Sequence, residues 1–145
     1  MDIEEAILLI ERERREQNSI YHSIAAKFGL TDTALWVLYC VSEPGESPTQ
    51  QELCRRGFCA KQTVNTAISG LARGGFVELI PLPGTRNRKT IHLTPKGREL
   101  ADKTVRPLKK AEENAYGRLS EPEMRAYIET AGRLNAYLRE EAARL

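Results

Sequence analysis

The chain has 145 residues, enough for one hydrophobic core but not for two separate ones. Its hydrophobic content of 41% and charged content of 29% are ordinary for a globular protein, and no apolar run approaches the ~20 residues that span a bilayer. Three irregularly spaced cysteines exclude a disulfide framework, and glutamates crowd the first apolar run as they would not in a signal peptide, so a cytoplasmic single-domain protein is expected.

The net charge of +2 conceals a strong asymmetry along the chain. Residues 54–110 hold 13 Lys and Arg against 3 Asp and Glu, whereas the remainder holds 9 basic and 17 acidic residues. A basic middle between acidic ends predicts a surface that binds a polyanion. The alternative is a set of solvated helix faces, which accounts for Lys109 and Lys110 better than for the cluster at 86–89.

Two helices are predicted in the first third of the chain. Apolar residues at helical spacing predict a long helix from about Asp2 to Phe28, although its middle is almost wholly polar. Thr31 is expected to cap a second helix, which ends in the turn Glu43-Pro44-Gly45. Because this second helix is apolar nearly all round, it is expected to lie in the core.

The middle of the chain predicts two short helices followed by a hairpin. Residues 49–56 begin with a capping box and are expected to form a helix, and a fourth helix is expected over 60–73, where Gly74-Gly75 ends it. Strands are expected over 76–80 and 89–93. A helix pair followed by a basic hairpin suits duplex nucleic acid, because one helix can enter the major groove while the hairpin tip reaches the minor groove or phosphates.

The last third of the chain predicts two further helices. Thr94 and Pro95 begin a helix that is expected to reach about Leu119, with a kink or an interruption at Pro107. Ser120 begins the last helix, whose apolar stripe runs almost to the end of the sequence. The two terminal helices are therefore expected to form a dimer interface, the alternative being packing within one subunit.

The exposed face of the predicted helix 60–73 carries side chains that can contact bases and phosphates. Gln62 and Asn65 can bond adenine in a bidentate manner, and Lys61 suits a guanine edge or a phosphate. Thr63 and Thr66 can contact a phosphate or a thymine methyl group. A merely polar, solvated helix is the alternative, and the adjacent basic hairpin favours DNA binding.

Several short motifs follow one another in a characteristic order. They are Leu30-Thr31, Trp36, Leu38, Thr49-Gln50-Gln51-Glu52-Leu53, Lys61-Gln62-Thr63-Val64-Asn65, Leu71-Ala72-Arg73-Gly74-Gly75-Phe76-Val77 and Ile91-His92-Leu93-Thr94-Pro95-Lys96-Gly97. In this order they resemble the MarR family of winged-helix transcriptional regulators, over nearly the full length of the chain.

The resemblance implies a mainly α-helical fold with a small β-hairpin wing, in a single domain of residues 1–145. Residues 30–97 would form a winged helix-turn-helix, and residues 1–28 and 98–145 a dimerisation layer. The resemblance further implies a homodimer whose two recognition helices enter successive major grooves of a pseudo-palindromic operator in double-stranded DNA. Such a regulator is expected to be a repressor that a small aromatic or anionic effector, or oxidation, releases from DNA.

The chain departs from the family pattern at two points. The family usually carries Asp-x-Arg before the second strand of the wing, and here the matching residues are Thr85-Arg86-Asn87. Arg86 or Arg88, together with Lys89, is therefore expected to contact DNA from the wing. The recognition helix often begins with a serine cap, and here the residue is Cys59, which caps poorly.

Five residues are candidates for regulation. Cys59 lies at the predicted start of a helix among basic residues, so it is a candidate oxidation sensor or, alternatively, a small residue that fills a tight turn. Candidates for the wall of an effector pocket are Tyr21, His22, Trp36 and Tyr39. The alternatives are an ordinary interface histidine and aromatic residues of the core.

Catalytic and metal sites are not expected. His22 and His92 are the only histidines, and no Cys/His spacing resembles a zinc site. His92 alternates with core-facing residues and is expected to be exposed. Because the chain carries no Walker, Gly-x-Ser-x-Gly, His-Glu-x-x-His or dinucleotide motif, neither an enzyme nor a cofactor is expected. The competing hypothesis is a winged-helix protein-interaction module without DNA binding.

Overall fold

The computed structural model describes residues 1–57 and 59–145. The elements in chain order are α1 (Ile3–Lys27), α2 (Asp32–Val41), α3 (Gln50–Arg56), α4 (Lys61–Arg73), β1 (Val77–Pro81), β2 (Lys89–Leu93), α5 (Pro95–Lys103), α6 (Val105–Tyr116) and α7 (Glu121–Ala142). The chain divides into two compact units, residues 1–106 and 107–145. The predicted mainly helical fold with one antiparallel hairpin is confirmed.

Side-chain caps begin most of the helices where the sequence predicts them. Thr31, Thr49, Thr94 and Ser120 each accept a hydrogen bond from a backbone N–H in the first turn. The capping boxes of α3 and α7 are complete, because the N3 glutamate of each helix also accepts from the backbone N–H of its cap. These helix starts are therefore specified by residues three positions apart.

The core of residues 1–106 forms where α2, α4 and the hairpin meet. Leu38 of α2, Leu53 of α3, Ile68 of α4 and Ile91 of β2 are completely buried. α4 contributes three buried residues, Val64, Ile68 and Leu71. Their spacing of four and three residues places them on one face, so the opposite face of α4 is left to solvent.

The end of α4 directs the chain into the hairpin. Gly75 has φ of +78°, its N–H donates to the Ala72 carbonyl, and the Phe76 N–H donates to the Leu71 carbonyl. This pair of bonds is a Schellman motif, which requires a left-handed residue that glycine adopts without strain. The predicted stop at Gly74-Gly75 is confirmed.

The wing, which comprises β1, β2 and the loop between them, has a third short partner. β1 and β2 pair antiparallel from Val77 opposite Leu93 to Pro81 opposite Lys89. In addition, Thr49 forms an isolated bridge with Thr90, and the Ile91 N–H donates to the Pro48 carbonyl at 2.9 Å. This contact ties the start of α3 to the wing, and the sequence analysis did not predict it.

The predicted interruption of the helix that begins at Pro95 is confirmed, but it lies before Pro107, and the helix ends three residues before the predicted Leu119. α5 ends at Lys103, Thr104 has φ −122° and ψ −63°, and α6 runs only to Tyr116. Pro107 lacks an N–H and its ring clashes with the carbonyl four residues earlier, which is that of Lys103. The interruption therefore falls three residues before the proline, which becomes part of the first turn of α6, where its missing N–H is tolerated.

Apolar side chains remain exposed on α1 and on α7. On α1 they include Ile3, Ile7, Leu8, Ile10 and Ile20. On α7 they are Tyr127, Ile128, Leu134, Tyr137 and Leu138, and no residue of α7, all of which the structure describes, is buried. Within the described residues no single helix is long and apolar enough to cross a bilayer; α1 and α2, bent by 84° at their break, meet the length and composition criteria only as a pair.

Candidate nucleic-acid interface

The solvent face of α4 forms an open depression with polar and cationic walls. Its lining residues are Lys61, Gln62, Asn65, Thr66, Ser69 and Arg73. Four of the five residues predicted on this helix therefore line one surface, and Thr63 is exposed outside it. Arg73 was not predicted as a site residue, although its position eleven residues after Gln62 on the same helical face could have indicated it.

The start of α4 differs from the prediction. The N-cap is Ala60, whose methyl group cannot accept a hydrogen bond, and Cys59 precedes it. Cys59 is exposed, and its sulfur lies 3.8 Å from the Thr33 hydroxyl oxygen. The sequence-based placement of Cys59 at the cap position is therefore one residue early, and its role as an oxidation sensor stays a prediction.

Asn65 is half-buried and is held from the side by α3. Its Oδ1 accepts hydrogen bonds from Gln50 Nε2 at 2.9 Å and from Cys54 Sγ at 3.3 Å. The sequence predicts that Asn65 can bond adenine in a bidentate manner, but it gives no sign of the contacts from Gln50 and Cys54. Because both partners lie on another helix, no pattern within α4 could have indicated them.

Thr66 also uses part of its polar capacity within the protein. Its hydroxyl donates to the Gln62 carbonyl one turn earlier, at 2.8 Å. A threonine bonded back to its own helix keeps its methyl group and an acceptor lone pair for a ligand. Contact with a thymine methyl is thus compatible with this geometry, whereas donation to a phosphate would require the internal bond to break.

The wing loop is stabilised by hydrogen bonds within a turn, and the cationic residues that follow the turn are exposed to solvent. Leu82, Pro83, Gly84 and Thr85 form a turn in which the Thr85 N–H and hydroxyl both donate to the Leu82 carbonyl, at 3.3 and 2.7 Å. Thr85 occupies the position of the family's aspartate, and here it bonds the turn rather than an arginine. Beyond the turn Arg86, Arg88 and Lys89 are exposed.

The cations of α4 and the wing are not neutralised inside the protein. From Lys61 to Leu93 the chain carries Lys61, Arg73, Arg86, Arg88 and Lys89 against Glu78 alone. In the described part of the chain none of these five cations pairs with a carboxylate, whereas Arg12, Arg14, Arg56, Arg106, Lys110, Arg125 and Arg144 all do. The α4 face and the wing therefore present positive charge that is available to an external anion.

The Leu-Thr-Pro-Lys-Gly run fastens the base of the wing to the end of α4. Thr94 Oγ1 accepts from the Gly97 N–H at 3.0 Å and donates to the Gly75 carbonyl. Lys96 Nζ donates to the Gly74 carbonyl at 2.7 Å and lies 4.6 Å from the centre of the Phe76 ring. The residues that carry much of the family resemblance thus orient the wing relative to α4.

His92 on β2 also helps to hold the wing in place through hydrogen bonds. Contrary to the expectation that it is exposed, it is half-buried, and both ring nitrogens have partners. Nδ1 lies 2.9 Å from the Ser47 hydroxyl and Nε2 lies 2.8 Å from the Thr90 hydroxyl. The added contact to residues 47–49 places a third segment beside β2 and reduces the exposure that strand alternation predicts.

The four predicted effector residues have different surroundings. His22 is exposed, with Nδ1 2.8 Å from Asp32 Oδ1 at the start of α2, and Tyr21 beside it is half-buried. Trp36 and Tyr39 are half-buried and pack against the core. A common pocket for these residues stays a prediction.

Comparisons with known proteins agree with this geometry. The model of the MarR family matches residues 28–86. A MarR/EmrR family transcriptional regulator from Acinetobacter sp. ADP1 is 15% identical with a TM-score of 0.75, over 97% of this chain and 99% of that one. No curated protein sequence matches significantly.

Two Staphylococcus aureus proteins are similar to a comparable degree. MarR in complex with salicylate and kanamycin is 18% identical with a TM-score of 0.71, covering 95% of this chain and 93% of its own. MepR in complex with DNA is 19% identical with a TM-score of 0.71, covering 90% and 96%. At these identities the likeness establishes the winged-helix fold. The family model also matches the helix pair and the first part of the wing, so residues 28–86 of this chain are similar to the MarR family.

Proposed function

We propose that this protein is a homodimeric repressor that binds a pseudo-palindromic operator and leaves it when a small ligand binds. The observation that carries the proposal is the set of cations on α4 and the wing that lack a carboxylate partner within the described residues. Uncompensated cations on a surface are available to neutralise phosphates, and DNA affinity depends mainly on such contacts.

The exposed face of α4 suits the major groove. Lys61 and Arg73 lie at opposite ends of α4 and can contact phosphates or guanine edges. Gln62, which follows Lys61, presents both a hydrogen-bond donor and an acceptor. Thr63 adds a short side chain for a phosphate or a thymine methyl group, and Thr66 adds its methyl group for a thymine methyl. Because the Thr94–Gly97 run holds the wing, Arg86, Arg88 and Lys89 would reach the neighbouring minor groove or phosphates in a defined register.

A second copy of the chain would cover the apolar surfaces of α1 and α7. An exposed apolar helix face marks an interaction site in many soluble proteins. In a twofold dimer two α4 helices would enter major grooves about 34–36 Å apart, one turn of DNA, which requires a pseudo-palindromic site. The MepR–DNA complex provides a precedent within the same fold.

The proposed release signal is a small aromatic or anionic effector. The relative solved with salicylate supports this chemistry, because salicylate is both aromatic and anionic. Tyr21, His22, Trp36 and Tyr39 supply aromatic surface and polar tips suited to such a molecule. Oxidation of the exposed Cys59 is the second candidate signal.

The test measures DNA affinity as a function of salt for the full chain and for the variant Arg86→Ala/Arg88→Ala. Each lost phosphate contact should reduce the slope of log affinity against log salt by about 1, so the variant should bind all sequences more weakly and with a flatter slope. The matched control is Arg12→Ala/Arg15→Ala on α1, which removes the same charge outside α4 and the wing. An equal effect in both variants would assign the loss to net charge instead of the wing.

Binding that is undiminished in the wing variant would contradict the wing assignment. A wild-type protein that ignores DNA at low salt would contradict the proposed function and favour the protein-interaction module.

A further inference from the structure

The structure assigns Gln50 and Cys54 of α3 as positioning residues that restrict Asn65 to donating hydrogen bonds. As a result, Asn65 binds adenine and guanine alike instead of selecting adenine. This inference rests on the proposed DNA binding. Gln50 and Cys54 would affect the sequence preference of the interface although neither lines the depression of α4.

The contacts account for every acceptor site of the Asn65 amide. A carboxamide oxygen has two lone pairs, and Oδ1 of Asn65 receives Gln50 Nε2 at 2.9 Å and Cys54 Sγ at 3.3 Å. The Cys54 thiol has one hydrogen, and Oδ1 is the nearer of its two acceptors, because the Lys61 carbonyl oxygen lies 3.9 Å from the sulfur. Asn65 is half-buried yet lines the open depression, and its Nδ2 has no acceptor among the residues that the structure describes. The amide therefore presents its N–H groups, and not its oxygen, for an external partner.

An asparagine whose oxygen is free and one whose oxygen is occupied recognise different bases in the major groove. An unrestrained asparagine selects adenine by accepting from N6 and donating to N7 at the same time. With its oxygen occupied, Asn65 can only donate, and N7 is an acceptor on both adenine and guanine. Guanine O6 is a further acceptor, so guanine is bound at least as well as adenine.

The test selects binding sites from a randomised duplex DNA pool with the full-length protein and its variants. The variant Asn65→Ala identifies the base that Asn65 contacts, because the preference at that position should disappear. In the wild type adenine and guanine should be recovered there within about threefold of each other, since both offer N7. The variant Gln50→Leu/Cys54→Ala releases Oδ1, and the ratio of adenine to guanine should rise at least about fivefold, the lower limit for one bidentate contact.

Three further variants separate positioning from a loss of structure. Gln51→Leu makes the same chemical change on the adjacent, exposed residue of α3 and should leave the ratio unchanged. Cys54→Ser retains a donor and should also keep the wild-type ratio. Gln50→Glu offers an acceptor to Asn65 Nδ2 and should turn the amide oxygen outward, which moves the preference away from guanine even if the double variant does not fold.

Distinct results would overturn the inference and the proposed function. The inference is wrong if Gln50→Leu/Cys54→Ala or Gln50→Glu folds and keeps the wild-type ratio, if the wild type already selects adenine over guanine, or if Asn65→Ala alters no position. Failure of the wild type to enrich any sequence would instead contradict the proposed function, and the inference with it.

Discussion

Gly97 is the residue at which a single added methyl group meets the strongest steric barrier. A Cβ at this position would lie 1.8 Å from the Phe76 carbonyl oxygen, a backbone atom that a rotamer change cannot move aside. The contact joins α5 to the residue that precedes β1, next to the bonds that Thr94 and Lys96 make to the end of α4. Close packing at Gly97 therefore helps to determine the orientation of the wing.

We expect Gly97→Ala to lower the free energy of unfolding by about 1–3 kcal/mol, the usual range for overpacking, or by more. Urea denaturation followed by circular dichroism measures the change. The matched control is Gly70→Ala in α4, where an added Cβ meets no atom within 4 Å and should stabilise the protein by about 0.5–1 kcal/mol. Equal stability of Gly97→Ala and the wild type would show that the contact between Gly97 and Phe76 relaxes freely.

At the residue scale the sequence identified which side chains face outward but not what they touch. Lys61, Gln62 and Thr66 line the depression as helical spacing predicts. Asn65 follows the same spacing, yet its oxygen is occupied by Gln50 and Cys54. The period of a helix determines the face of a residue, whereas its partners come from a neighbouring helix whose position the period does not contain.

The ends of individual helices follow local chemistry closely. The capping boxes of α3 and α7 and the Schellman motif of α4 involve residues three to five positions apart, so the sequence is sufficient to predict them. Pro107 predicts that the helix is interrupted but not at which residue. Its ring clashes with the carbonyl of Lys103, so the interruption lies at Thr104.

The capping interaction at the start of α7 is expected to stabilise the protein to a degree that depends on pH. The Ser120 hydroxyl, followed by the Ser120 backbone N–H, donates to the Glu123 carboxylate and lowers its pKa from the usual 4.5. A group with a lowered pKa in the folded state stabilises the protein above its unfolded value and loses that contribution as the pH falls through its folded value. The contribution of Glu123 should therefore be complete near neutral pH and disappear below pH 4.5.

The measurement is the melting temperature of the wild type and Glu123→Gln between neutral and acidic pH. The wild type should melt higher at neutral pH, and the two curves should converge on acidification. Glu129→Gln, which changes an exposed glutamate in the middle of α7, is the control and should show no such convergence. A constant difference between wild type and Glu123→Gln at every pH would exclude the charged capping interaction.

At the scale of the whole molecule, the apolar faces of α1 and α7 need a partner. Ile3 and Leu8 on α1 are 75% and 67% exposed, and Tyr127 and Ile128 on α7 are 66% and 69% exposed. Burial of apolar surface stabilises association by about 25 cal/mol per Å², so a dimer that covers these side chains is favoured.

We expect Ile128→Glu to convert the proposed dimer into monomers, because it places a charge within the apolar face of α7. Size-exclusion chromatography with light scattering measures the mass. Thr130→Glu introduces the same charge about 200° around the helix and should leave the dimer intact. A mass unchanged by Ile128→Glu would exclude this part of α7 from the interface.

The amino-acid order alone was enough for the helix and strand pattern, the helix caps, the outward face of α4 and the basic segment, because each depends on neighbours within one or two turns. The tertiary structure decided the bridge between Thr49 and Thr90, the contacts of His92 with Ser47, the bonds from Gln50 and Cys54 to Asn65, and the close approach of Gly97 to Phe76. These pairs are 11 to 45 residues apart. Such contacts form only when separate elements pack against one core, and a local pattern does not contain that arrangement.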